Sequence, residues 1–196
     1  MRFCLDTEFV ERDAQIDLIS IGVVGEDGRE YYAVRREFNT GRARLHAFVG
    51  RHVWPHLPRK TVEQGSARHD LIDHDHPNVK PGKQIAEELA AFLLEPPGPV
   101  ELWAWMSAYD HVAWTGLYGS MVDLPDDLPW ITRDIEDYRI RLGHPELPAQ
   151  DPATQHHALW DARHHWTQLR FLEQLERGRF GHSFVVPDEQ PDGAVS

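Results

Sequence analysis

An apolar segment near the start of the chain carries two acidic residues, and it constrains the fold more than any other part of the sequence. The segment FCLDTEF, residues 3–9, predicts a buried strand. Successive side chains of a strand point to opposite faces, so Asp6 and Glu8 project from the same face. Two neighbouring carboxylates in a dry setting need a cation or a proton to compensate them. The pair therefore indicates a divalent metal site, although a solvated strand face is the commoner origin of such a pattern.

Length and composition favour one globular domain. The chain has 196 residues, of which 41% are hydrophobic, and this is enough for a sizeable core. The single cysteine, Cys4, excludes an internal disulfide and favours a reducing, cytoplasmic environment. Because the sequence has neither the pattern of a signal peptide nor an apolar stretch of 18 residues, we expect no membrane partner.

The charge distribution is uneven. A formal net charge of −12 argues against a protein that grips long duplexes by neutralising many phosphates. Residues 29–60 nevertheless contain eight Lys or Arg against two Glu. This basic segment could steer a polyanion towards an acidic metal centre, and a solvated helix with its loops explains it at least as well.

The pattern along the chain predicts a mixed sheet flanked by helices. The expected strands lie at 3–9, 16–24, 30–34 and 100–105. The expected helices lie at 81–95, 108–119, 131–142 and 154–177. Residues 61–80 show no clear period and are a candidate lid or insertion, within a single domain over residues 1–181. Residues 182–196 are polar and predict a largely disordered tail.

Three short motifs resemble those of the DEDDh family of 3′-to-5′ exonucleases. They are DTE at 6–8, AYDH at 108–111 and HxALxDA at 156–162. From residue 1 to about residue 177, the segments DTEF, LISIGVV, EDGREYYAV, ELWAWxxAYDHVA and HxALxDAR also resemble the actinobacterial polyadenylate-specific 3′-exoribonuclease AS family. The resemblance implies an α/β ribonuclease H-like exonuclease fold with a mixed five-stranded sheet flanked by helices.

The same resemblance implies an active site of four carboxylates and one histidine. The carboxylates that would hold two Mg²⁺ or Mn²⁺ ions are Asp6, Glu8, Asp110 and Asp161. The histidine that would take the proton from the attacking water is His156. Oxygen ligands suit these ions, and a pair of ions about 4 Å apart suits phosphodiester hydrolysis without a covalent intermediate.

The adjacent His157 leaves the identity of the base open from the residues alone. It lies four residues before Asp161, where the related DEDDy enzymes carry a tyrosine, and on a helix it would share a face with Asp161 and His165. A rival prediction is a zinc site made of His157, Asp161 and His165. That set would leave the two acids of the first strand unexplained.

Substrate contacts are expected at the end of the first strand. By resemblance to such exonucleases, Thr7, Glu8 and Phe9 would contact the terminal nucleotide of the substrate. Trp105 lies close to Asp110 in the sequence and could stack on the terminal base, although core packing is the commoner role of a strand tryptophan.

These features predict a metal-dependent 3′-to-5′ exoribonuclease that trims single-stranded RNA ends and releases nucleoside 5′-monophosphates. Homodimers are common among the relatives, so we expect a homodimer. Two alternatives stay open: a DNA exonuclease of the proofreading type with the same site, and a catalytically weak RNA-binding module on the same fold. No residue identifies a contact to a ribose 2′-hydroxyl, so the choice of RNA over DNA rests on the resemblance.

Overall fold

The computed structural model describes residues 1–12, 15–64 and 67–180, so the predicted tail at 182–196 lies outside the described residues. The strands are β1 (Arg2–Arg12), β2 (Gln15–Gly25), β3 (Glu30–Arg35), β4 (Arg59–Gln64), β5 (Ala67–Ile72), β6 (Val79–Lys80), β7 (Glu101–Ala104) and β8 (Thr132–Asp134). The α-helices are α1 (Thr40–Leu45), α2 (Ala47–His52), α3 (Gly82–Leu94), α4 (Ala108–Thr115), α5 (Ile135–Arg141) and α6 (Ala158–Phe180). Short 3-10 helices lie at Trp54–His56, Gly116–Tyr118, Met121–Asp123 and Pro152–Thr154.

Six of the strands form one mixed sheet in the order β6-β3-β2-β1-β7-β8. The first three strands pair antiparallel, whereas β7 is parallel to β1, β8 to β7 and β6 to β3. The predicted α/β sheet flanked by helices is confirmed, with six strands instead of five. β6 and β8 are only two and three residues long, which is too short for an alternating pattern to reveal them.

The alternation of side chains along β1 determines what each face of the sheet meets. Phe3 and Leu5 belong to the cluster that packs against α3 and Trp114 of α4. Cys4 belongs to the cluster that packs against α5 and α6. By the same alternation, Thr7 faces the α4 side of the sheet, and Asp6 and Glu8 face the α6 side.

Residues 61–80 are more regular than their sequence suggests. Most of them lie in the β4–β5 hairpin, which forms its own two-stranded sheet, and in β6. An isolated hairpin is only marginally stable in water. The base of this one is anchored because Ile72 is buried in the core and the indole Nε1 of Trp54 donates to Asp70 at 3.2 Å. The hairpin thus lies outside the main sheet while β6 belongs to it, and the lid or insertion over residues 61–80 stays a prediction.

The last helix begins at Ala158, four residues after the predicted start. The residues Pro152–Thr154 form a 3-10 helix, and His156 has a φ of 64°, a left-handed conformation that an α-helix does not accommodate. His156 and His157 therefore precede the helix on which they were predicted. No helix among the described residues is long and apolar enough to cross a membrane.

Candidate active site

Strand β1 supplies the first two acids of the site. Asp6 pairs with Gly22 of β2 in the sheet register, and the register with β2 shifts between Glu8 and Phe9. Such an irregularity is typical of a β-bulge, which bends the strand and re-aims the side chains next to it. The residue that this register skips is Ile19 of β2, so the irregularity lies in β2, opposite the second acid of β1.

Asp110 reaches the site from the first turn of α4. Its Oδ1 accepts two hydrogen bonds from Thr7, one from the backbone N at 2.8 Å and one from Oγ1 at 2.6 Å. Burial raises the pKa of Asp110 to about 7, although the hydrogen bonds from Thr7 act in the opposite direction. This contact ties α4 to the strand that carries Asp6 and Glu8.

Asp161 reaches the site from the first turn of α6. Its Oδ2 accepts from the backbone N of His156 at 2.9 Å, and its Oδ1 accepts from Nε2 of Gln150. Burial raises the pKa of Asp161 despite these two donors. The carboxylate is therefore oriented by the loop that precedes its own helix.

Gly22 allows the start of α6 to lie directly on the sheet. A Cβ at this position would stand 2.3 Å from the backbone N of Leu159 and 2.4 Å from the carbonyl O of Ala158, closer than real side chains allow. Because Gly22 is the neighbour of Asp6 across the sheet, this close approach brings Asp161 towards the acids of β1. The sequence contained a clue, since a glycine within an apolar strand often marks close backbone approach.

The acids converge on one place. Ligand atoms of Glu8, His156 and Asp161 lie within 4.8 Å of one another. Asp6, His156 and Asp161 also line a single open cavity of about 500 Å³. The structure thus brings residues from β1 and from the start of α6 together, while Asp110 is connected to them through Thr7.

The charged carboxylates of this cluster need a positive charge beside them. Burial, and then the charges of Asp110, Glu8 and Asp161, raise the pKa of Asp6 well above its ordinary value. Burial, and then Asp161 and Asp110, raise the pKa of Glu8 to about 8. Within the described ranges, no Lys or Arg forms an ion pair with any of these four carboxylates. A buried set of oxygen donors that lacks a protein cation fits Mg²⁺ or Mn²⁺.

His156 stands at the edge of the cluster with a half-buried ring. The ring contacts Phe48 with centroids 4.9 Å apart and His52 with centroids 5.3 Å apart. Burial is the largest influence on its pKa, which is lowered, while the charge of Asp161 acts in the opposite direction. The neutral form, which can accept a proton, is therefore favoured near neutral pH.

His157 has a different environment. Its ring is stacked between Tyr32 and Trp160, each at 4.4 Å, and burial lowers its pKa to about 4. His165 is buried as well, with Nδ1 3.0 Å from the carbonyl O of Leu5. The group formed with Asp161 contains His156 and Glu8, so the geometry does not support a zinc site of His157, Asp161 and His165.

The predicted substrate residues lie around the cluster. Phe9 stacks on Tyr109 with ring centroids 5.7 Å apart, and about half of Tyr109 is exposed. Trp105 lines the same cavity as Asp6. Sequence reasoning missed Tyr109 and Gln150: Tyr109 belongs to a quoted motif, but Gln150 lies in a proline-rich loop with no pattern to mark it.

Comparison with known proteins assigns the family. Residues 1–172 match the family described as 3'-5' exoribonuclease Rv2179c-like domain. Two curated proteins of Mycobacterium tuberculosis, the 3'-5' exoribonuclease Rv2179c of strain ATCC 25618 / H37Rv and the 3'-5' exoribonuclease MT2234.1 of strain CDC 1551 / Oshkosh, are each 40% identical over 177 residues, which is 90% of this chain and 95% of theirs.

Two solved structures resemble the backbone more distantly. One is S. pombe Pop2p in its Mg2+ and Mn2+ bound form, with a TM-score of 0.47, 15% identity and coverage of 94% of this chain and 85% of that one. The other is the yeast NOT1 MIF4G domain co-crystallized with CAF1, with a TM-score of 0.44, 14% identity and coverage of 88% and 80%. The assignment rests on the sequence relatives, and by them the chain belongs to the Rv2179c-like 3'-5' exoribonuclease family.

Proposed function

We propose that this enzyme is a Mg²⁺- or Mn²⁺-dependent 3′-to-5′ exoribonuclease that removes nucleoside 5′-monophosphates from single-stranded RNA. Membership of an exoribonuclease family supports the reaction class. The observation that carries the metal dependence is the cluster of buried and half-buried carboxylates that has no Lys or Arg partner among the described residues. A binding module would gain nothing from such a cluster, because it repels the phosphates of RNA unless cations are bound.

Asp6, Glu8, Asp110 and Asp161 are the proposed metal ligands, and two ions are proposed per site. When bound, the ions would activate the attacking water and stabilise the leaving 3′ oxygen. The chain's own contribution is orientation: Thr7 holds the Asp110 carboxylate, and Gln150 with the backbone of residue 156 holds that of Asp161.

His156 is the proposed general base. Its lowered pKa leaves a ring nitrogen free to accept the proton of the attacking water at neutral pH. Its ring is within reach of Glu8 and Asp161, whereas the ring of His157 is occupied by stacking on Tyr32 and Trp160. This difference in surroundings supports the choice that the sequence left open.

The terminal nucleotide is proposed to lie against Thr7, Glu8 and Phe9, which lie within β1 because the strand continues to Arg12, with Trp105 as a further contact in the cavity beside Asp6. Tyr109 joins this set because it presents an exposed ring beside Phe9. Exposed aromatic rings accept nucleobases by stacking.

The remaining proposals concern the whole chain. Residues 1–181 are proposed as one domain, because six of the strands form one sheet and α6 packs on β1 and β2. The buried free thiol of Cys4 supports a reducing, cytoplasmic location. Homodimerisation stays a prediction that analytical ultracentrifugation will test.

The decisive test of the function compares 5′-labelled single-stranded RNA with DNA of the same sequence. We expect a ladder that shortens from the 3′ end of RNA with Mg²⁺ or Mn²⁺ and stops when EDTA is added. Equal or faster cutting of DNA would favour the proofreading alternative. Tight RNA binding with no cutting by folded, metal-loaded protein would favour the binding module.

A further inference from the structure

The short helices α1 and α2 carry arginines that no acid neutralises. Among the described residues, Arg42, Arg44 and Arg51 form no ion pair and no side-chain hydrogen bond. Asp70 lies close enough to Arg44 to respond to its charge, but Asp70 is itself paired with Arg59. Arg44 and Arg51 are also exposed. The α1–α2 surface therefore keeps positive charge on a chain whose formal net charge is −12.

This surface is continuous with the active site. Phe48 and His52 of α2 both contact the ring of His156. Arg51 follows Phe48 by three residues, so the two side chains are neighbours on the helix. Gly50 brings the two helices together, since a Cβ there would stand 2.3 Å from the carbonyl O of Arg44. Arg51 therefore lies on the same helix as the two residues that contact His156, and Arg44 lies on the helix that packs against it.

We propose that Arg44 and Arg51 bind backbone phosphates of the RNA strand upstream of the scissile bond. The inference rests on the proposed function, in which only the 3′ end enters the carboxylate cluster and the rest of the strand must leave along the surface. Outside residues 29–60 the sequence carries an excess of acidic residues, which disfavours other paths for a polyanion. Phe48, which is 49% exposed, offers a ring on which an upstream base can stack.

The contact has a defined electrostatic signature. Each phosphate contact to a single strand contributes about 0.7 to the slope of log affinity against log salt. If such a contact contributes nothing at about 1 M salt, the same relation gives about a fourfold gain in affinity for each contact at about 0.15 M salt. A dinucleotide has no upstream phosphates, so its hydrolysis is expected to be insensitive to these arginines.

The test uses Arg44→Gln, Arg51→Gln and the double variant. The matched control is Arg141→Gln, whose side chain is 63% exposed and paired with Asp137 on α5. Fluorescence anisotropy with 5′-fluorescein oligouridylate of about 20 nucleotides measures affinity across a salt series, with Ca²⁺ in place of Mg²⁺ so that the carboxylates are compensated while hydrolysis is slowed. Steady-state kinetics on the same RNA and on a dinucleotide measure KM and kcat, and thermal melting checks the fold.

We expect affinity for the long RNA to fall about fourfold for each arginine, with a salt slope reduced by about 0.7 for each. We expect kcat, dinucleotide hydrolysis and melting temperature to stay unchanged.

The proposal is overturned if the double variant binds RNA like the wild type, or if Arg141→Gln weakens binding equally. A change in sedimentation without a change in RNA affinity would also overturn it, because the surface would then be a protein contact. A wild type that binds RNA through these arginines but never cuts it would contradict the proposed function alone.

Discussion

At the residue scale, the site depends on how buried carboxylates are compensated. Asp110 has two hydrogen-bond donors from Thr7, and its pKa is raised to about 7 by burial. Glu8, beside the charges of Asp161 and Asp110, has its pKa raised further, to about 8. Hydrogen bonds from the backbone and from neutral side chains therefore offset only part of the free-energy cost of burying the charged carboxylates. Bound metal ions would offset the rest.

The stability of the metal-free protein should fall as pH rises from about 6.5 to about 8, whereas below about 6.5 the pKa values of His157 and His165, which burial lowers to about 4, act in the opposite direction. The raised pKa values of Glu8 and Asp110 mean that the native state holds protons that the unfolded state has released. Each pKa unit corresponds to about 1.4 kcal/mol, so the loss over this range is on the order of a few kcal/mol. Urea unfolding in EDTA at a series of pH values measures it.

Added Mg²⁺ or Mn²⁺ should raise the midpoint of unfolding, and more at pH 8 than at pH 5, because the ions compete with protons for the same carboxylates. Glu8→Gln, which removes one titrating group, serves as the control and should flatten the metal-free profile. Stability that rises with pH between about 6.5 and 8 in EDTA would contradict this account of the cluster.

His156 should contribute mainly to catalysis, and His157 mainly to the stability of the fold. His156→Ala should lower kcat by about 100-fold or more, since a general base contributes roughly that much. His157→Ala should lower the melting temperature, because its ring is stacked between Tyr32 and Trp160, and should retain most of kcat. Single-turnover kinetics and thermal melting of both variants decide this. A larger loss of kcat with His157→Ala would reverse the assignment.

At the scale of elements, the junction of β2 with α6 controls the site. We expect Gly22→Ala to push the start of α6 away from the sheet, because the added methyl group would meet the backbone of Ala158 and Leu159. Asp161 and His156 would then move relative to Asp6, and both activity and stability should fall. The matched control is Gly116→Ala, where a Cβ meets nothing within 4 Å. Retained activity in a stably folded Gly22→Ala variant would show that this contact is not required.

The burial of each helix and strand also explains which of them could be predicted from the sequence. The apolar runs of β1 and β2 and the spacing of apolar residues in α3 were sufficient to predict those elements, because the two strands bury both faces and α3 buries one face over several turns. The start of α6 was predicted four residues early because a left-handed residue at His156 leaves no mark in composition. The β4–β5 hairpin was missed because few of its side chains reach the core.

At the scale of the molecule, the site is assembled from segments far apart in the chain. Two acids come from β1, one from α4 and one from α6, and the two faces of the sheet bury separate apolar clusters. The resemblance of three motifs predicted this residue set, because the motifs are local in sequence. Its supports depend on tertiary packing: the glycine within the apolar run of β2 was only a clue to the Gly22 contact, and the hydrogen bond from Gln150 left no pattern in the sequence.

The most direct test of the account is degradation of 5′-labelled single-stranded RNA by the wild type, Asp6→Asn and Asp127→Asn in the presence of Mn²⁺. Asp127 is an exposed acid in the loop between Asp123 and Pro129 and serves as the matched control. The account predicts a 3′-to-5′ ladder for the wild type and for Asp127→Asn, and a loss of at least about 1,000-fold in rate for folded Asp6→Asn, because an unbound ion cannot assist the reaction. Turnover by Asp6→Asn near the wild-type rate would contradict the metal-dependent mechanism.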